Sequence, residues 1–112
     1  MHRPLPVSVY VIAYNDEIAV GVLNRLAHRG VRVPEEVSVI GFDDTGLAEM
    51  VMPLLTSVRL PAATAGTAAV RMLLDLVNGH GGADTAERVY LPTELVIRST
   101  TAPRSEQAGE RA

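Results

Sequence analysis

The stretch that most constrains this chain is Val37-Ser38-Val39-Ile40-Gly41-Phe42-Asp43-Asp44. Val37, Val39, Ile40 and Phe42 are β-branched or aromatic, which suits a strand buried on both faces, as parallel sheets require. The run stops at two carboxylates. In open α/β sheets ligands bind at the carboxyl ends of such strands, so a pair of acids there marks a candidate ligand edge. The same acids equally suit a turn, with Thr45 as an alternative N-cap for the next element. The strand by itself leaves both open.

A second β-branched run, Val7 to Ala13, precedes it and ends at Tyr14-Asn15-Asp16-Glu17. Asn15 is a good N-cap, and Asp16 and Glu17 fall in a first turn, where acids favour the helix dipole. Ile18, Ala19, Val22, Leu23, Leu26 and Ala27 share one helical face, and Asn24, Arg25, His28 and Arg29 the other. Gly30 stands where a left-handed residue closes a helix. Strand, helix and strand make a βαβ unit of roughly 30 residues or more, which sets the two strands parallel. The Asn15 turn and the Asp43 turn therefore share one sheet edge, and the fold class is α/β.

Thr45 to Met52 is expected to be a short helix or turn carrying Leu47, Met50, Val51 and Met52, ended by Pro53. Leu55 to Leu60 reads as a strand, and Pro61 suits a first helical turn. Ala62 to Asn78 reads as a second amphipathic helix, with Ala65, Ala69, Met72, Leu73, Leu76 and Val77 on one face and Asn78-Gly79 as its stop. His80 to Thr85 is an exposed loop. Arg88 to Leu91 and Leu95 to Ile97 look like strands interrupted by Pro92-Thr93-Glu94. The chain turns polar from Thr101, and residues 104–112 are expected to be a disordered tail.

The 112 residues suit one domain, and 47% hydrophobic residues suffice for a core. All ten basic residues are arginines, scattered singly against thirteen acids for a net charge of −3. No basic stripe exists for a nucleic-acid backbone to follow. Cysteine is absent, so disulfide and thiolate chemistry are excluded. His2, His28 and His80 sit apart in the expected elements, and Gly79, Gly81 and Gly82 follow a helix rather than join a strand to one. Neither a metal nor a cofactor is proposed. No signal-peptide core and no apolar run near ~20 residues is found, so the chain is expected to be cytoplasmic and free of the membrane.

Three segments, Asn15 to Gly21, Gly30 to Asp44 and Pro53 to Arg59, stand in one order that resembles the lac repressor/galactose repressor (LacI/GalR) family of bacterial transcription regulators. The helix with Gly66 and the ending Leu91-Pro92-Thr93-Glu94-Leu95-Val96-Ile97-Arg98-Ser99-Thr100 are similar to the same family's C-terminal segment. The resemblance implies a periplasmic-binding-protein-like (type I) fold, with a partial doubly wound parallel sheet from a two-lobed sensor. Residues 1–103 would be the C-terminal portion of the effector-binding domain. Within it, 7–58 and 62–91 would lie in different lobes, and 94–100 would cross back. The family's DNA-binding headpiece would be absent, so DNA would be contacted only through a part this chain does not supply. Asp43 matches the family aspartate that accepts hydrogen bonds from an effector, usually a sugar or nucleobase. Asn15 matches a cleft asparagine, whose N-cap role is compatible with ligand contact. Glu17 is a third candidate. Ala62 and Leu60 depart from the family pattern and leave the effector class open. Leu47, Met50, Val51, Met52 and Leu55 fall where relatives build a dimer interface, or else form ordinary core.

Two other functions remain. A Mg²⁺-dependent enzyme would place Asp43 and Asp44 on one ion, although the chain has no lysine and no spaced nucleophilic triad. A secreted sugar-binding protein of the same fold would need a leader.

Overall fold

In a computed structural model, residues 9–80 and 88–104 are described. The expectations for Val7 and Ser8, for loop residues 81–85 and for tail residues 105–112 lie outside the described residues. The chain divides into two units, Met1–Arg59 with Glu94–Ala112, and Leu60–Thr93.

The first unit carries β1 (Val9–Ile12), α1 (Asp16–His28), β2 (Val37–Asp43), a 3-10 turn (Gly46–Glu49), β3 (Thr56–Arg59) and β4 (Glu94–Val96). Among the described residues these strands form one sheet in the order β1-β2-β3-β4. β1 pairs parallel with β2, from Val9 opposite Val37 to Ile12 opposite Ile40. β2 pairs parallel with β3, from Ile40 opposite Thr56 to Asp43 opposite Arg59. The expected βαβ unit is therefore present, and it brings the ends of β1 and β2 to one edge. β4 runs antiparallel to β3.

α1 forms where the residues require it. Asn15 Oδ1 accepts from the Ile18 amide at 2.9 Å, and Gly30, at φ 73°, takes the left-handed closing position. Ala19 and Leu23 are buried, with Val22 and Leu26 packed beside them. The stripe is narrower than expected, since Ile18 and Ala27 are exposed. This helix covers one face of the sheet, and the core beneath it comprises Ala13, Ala19, Leu23, Val37, Val39, Ala48 and Leu55. The other face carries exposed apolar residues. Tyr10 and Ile12 of β1 and Leu95 and Ile97 around β4 are exposed, whereas the two inner strands β2 and β3 bury successive residues, Val37 to Val39 and Thr56 to Ser57.

The segment after β4 is stitched into the sheet. Thr100 is fully buried; its hydroxyl donates to the Val39 carbonyl at 2.6 Å and accepts from the Thr56 amide at 2.9 Å. The Val39 amide in turn donates to the Thr100 carbonyl at 2.8 Å. Arg98 N–H donates to Thr56 Oγ1, and Ser99 N–H to the Leu54 carbonyl.

Thr45 to Met52, expected as a short helix or turn, holds the 3-10 turn Gly46–Glu49. One expectation is corrected. Arg88 to Leu91 is not a strand. An extended apolar run becomes a strand only where a partner offers its backbone groups, and this one has none among the described residues.

The second unit contains α2 (Ala62–Val77), ended by Asn78 and by Gly79 at φ 75°. None of its residues is buried. The expected apolar face is present, with Leu73, Leu76 and Val77 exposed.

Candidate functional site

At the carboxyl edge of β1 and β2 lies an open depression of about 430 Å³ lined by Ile12, Ala13, Tyr14, Phe42 and Asp43. Parallel pairing places these residues together although 29 positions separate Tyr14 from Asp43 in the chain. Tyr14 is 84% exposed, so an aromatic ring stands free next to a carboxylate.

Asp43 is exposed and no hydrogen bond or ion pair among the described residues engages its carboxylate. Its backbone is unusual. Asp43 has φ 96° and Asp44 φ 54°, two successive non-glycine residues at positive φ. Such backbone costs on the order of 1–3 kcal/mol per residue, and aspartate tolerates the left-handed region better than most. Surrounding contacts must hold it.

Those contacts converge on Asp44 and Thr45. Asp44 N–H donates to Ser57 Oγ at 3.0 Å, and Ser57 Oγ donates to Asp16 Oδ1 at 2.6 Å. Thr45 donates to Asp16 Oδ2 from both its amide (2.6 Å) and its hydroxyl (3.1 Å). Asp16 is fully buried with three donors on its carboxylate, the usual condition for a buried acid. The Asp44 side chain is nearly buried between two guanidiniums. Arg59 Nε donates to Oδ2 at 2.8 Å. Arg98 Nη1 lies 2.7 Å from Oδ1 without the alignment of a full hydrogen bond, and also donates to the Leu55 carbonyl at 2.7 Å. The Arg98 guanidinium first, with Arg59 in support, holds the Asp44 carboxyl below the usual carboxylate range against the opposing pull of burial.

The expected site residues thus separate. Asp43 lines the depression. Asn15 is adjacent in sequence to Tyr14 but does not line it, and its oxygen is spent on the helix cap. Glu17 is exposed in the first turn of α1, outside the lining. Asp44 serves the protein rather than the depression. Of the apolar cluster, Met50 and Met52 are 78% and 86% exposed, and Leu47 and Val51 are half-buried. Leu55 is fully buried in the core and offers no surface to a second chain, so it leaves the interface set.

Sequence reasoning missed Asp16, Ser57 and Arg98. Asp16 left a signal: it stands three and seven positions before Ala19 and Leu23, on the face that packs inward. Ser57 and Arg98 left none, because their partners are distant in the chain.

A sequence profile of the periplasmic binding protein-like domain matches residues 2–101. The HTH-type transcriptional repressor PurR of Vibrio atlanticus is 40% identical over 91 residues, covering 80% of this chain and 26% of that protein. A lactose operon repressor of Rhizobium radiobacter is 31% identical over 90 residues, covering 80% of this chain and 77% of that protein. Among solved structures, the CelR–cellobiose complex superposes with a TM-score of 0.77 at 35% identity, over 81% of this chain and 27% of that one. A LacI family regulator from Enterococcus faecium with bound ribose gives 0.73 at 33%, over 85% and 35%. Apart from the Rhizobium protein, the chain spans between a quarter and a third of the length of the curated relatives it matches. These relatives are transcription regulators, not enzymes.

Proposed function

Because the chain belongs to the periplasmic-binding-protein-like effector domains of the LacI family of transcription regulators, we propose that it senses a sugar-like effector at the Asp43 edge. The observation that carries this is the pairing of an unengaged carboxylate with the exposed ring of Tyr14 in one depression. A carboxylate accepts from neighbouring hydroxyls through two oxygens, and an aromatic face covers the apolar side of a sugar ring. Cellobiose and ribose in the related structures support the class of ligand. Asn15 contributes its amide nitrogen and Glu17 the outer rim.

The whole regulator works in the cytoplasm as a homodimer and reads operator DNA through a headpiece outside these residues. Leu47, Met50, Val51 and Met52 supply apolar surface for the dimer. The Mg²⁺-dependent alternative needs both adjacent carboxylates on one ion, whereas Asp44 is taken by Arg59 and Arg98.

The test is titration of the isotope-labelled chain with cellobiose and with ribose, following backbone amide shifts. Shifts should cluster at Ile12–Tyr14 and Phe42–Asp43. Asp43→Ala should weaken binding by roughly 10- to 150-fold, the equivalent of one hydrogen bond to a charged group. Saturating shifts centred elsewhere, or unchanged affinity in the variant, would sink the proposal.

A further inference from the structure

Asp43 and Asp44 divide their labour. One carboxylate is free, and its neighbour is spent wholly on the protein. Two consecutive aspartates at positive φ do not stay there by local preference. Every contact that fixes them comes from distant chain: Ser57 on β3, Asp16 at the start of α1, Arg59, and Arg98 beyond β4. Of the two arginines, Arg59 is half exposed, while the Arg98 side chain is 10% exposed. Arg98 is also anchored at three further points, by its guanidinium on the Leu55 carbonyl, by its amide on Thr56 Oγ1, and by Nη2 facing Glu49 Oε1 at 3.5 Å.

We infer that Arg98 is a positioning residue for the ligand site: by clamping Asp44 it fixes the backbone that turns the unengaged Asp43 carboxylate toward the depression. Ser57 and Asp16 complete the clamp through the Asp44 and Thr45 amides. The arrangement rests on Asp43 being the effector contact, as proposed above. Its consequence is that ligand affinity depends on a residue that touches no ligand. If loss of the clamp leaves about a tenth of molecules with the competent turn, apparent affinity falls about tenfold.

The experiment uses the full labelled chain as wild type, Arg98→Gln and Arg98→Lys. The first readout is the intraresidue amide-to-Hα cross-relaxation at Asp43 and Asp44, which is strong only at positive φ. The second is affinity for cellobiose and for ribose. Arg98→Gln should lose the positive-φ signature at Asp44 and weaken it at Asp43, while the Ile18 amide of the α1 cap is unmoved. Arg98→Lys keeps the charge without the planar fork and should retain part of the signature. A purely structural role would lower stability but leave the signature of the folded molecules intact, and that result overturns the inference. Should Arg98→Gln fail to fold, Arg98→Lys decides by the same criterion. If wild type binds neither sugar, the effector proposal fails, and the cross-relaxation still judges the clamp independently.

Discussion

Gly41 shows how little room this site leaves at the scale of single residues. A Cβ there would collide with the Asp16 carboxylate and come within 2.9 Å of Leu55 Cδ2. Gly41→Ala therefore strikes the core and the clamp at once, and should cost about 1–3 kcal/mol as overpacking. Urea denaturation checks the cost, and an unchanged midpoint would mean that the strand moves freely. Asp44 brings a pH dependence. Its carboxyl lies below the ordinary value of 3.8 in the fold, chiefly through Arg98, and returns to it on unfolding. Its stabilising contribution is thus complete above that pH and is lost as the pH falls through the lowered folded value. Stability measured from neutral pH into this acidic window should fall in wild type and fall less steeply in Arg98→Gln. Parallel curves would show that the pair contributes nothing. The acids at the end of β2 were legible in the sequence as a candidate edge. Which of them faces ligand was not, since that depends on guanidiniums from β3 and from beyond β4.

The helix α1 was the most readable element. Cap, first-turn acids, apolar stripe and closing glycine all point to the same boundaries, and local agreement of that kind needs no distant partner. Asn15→Ala should cost about 1 kcal/mol, as loss of an N-cap does, with the Ile18 amide losing protection from exchange. Asn15→Asp should restore both. Equal protection in the alanine variant would show that another group caps the helix. The strands were less readable in proportion to their need for partners. Val37–Asp43 pairs on both sides and was evident, whereas Arg88 to Leu91, also read as a strand, has no strand partner among the described residues. The strand expected at Leu95 to Ile97 is present as Glu94–Val96, and only its antiparallel pairing with β3 was announced by no local pattern.

For the whole molecule, two apolar surfaces have different expected behaviour. Tyr10, Ile12, Leu95 and Ile97 leave one sheet face uncovered, a surface that promotes association at rising concentration. Met50 and Met52 belong to the apolar patch proposed for the dimer. Sedimentation of the purified chain should show dimers together with larger, concentration-dependent species. Met50→Glu with Met52→Glu should remove the dimer, and Ile12→Glu with Ile97→Glu the larger species. A monomer at every concentration would contradict both assignments.

Periodicity and caps determined α1, β2 and the βαβ order by themselves, because each rests on contacts within a few residues or on the chirality of the chain. The same order fixed the shared edge of the Asn15 and Asp43 turns. Tertiary structure alone decided that Asp16 is a buried acceptor rather than a dipole acid. It also decided that Leu55 is core and that Asp44 is sequestered so that Asp43 stands free. Those outcomes depend on donors 15 to 54 positions away, Arg59 and Arg98 from Asp44 and Thr45 from Asp16 among them, or on burial beneath other elements. Such pairings have no signature in one sequence, because the cost of burying a polar group is met by whichever distant partner the fold delivers.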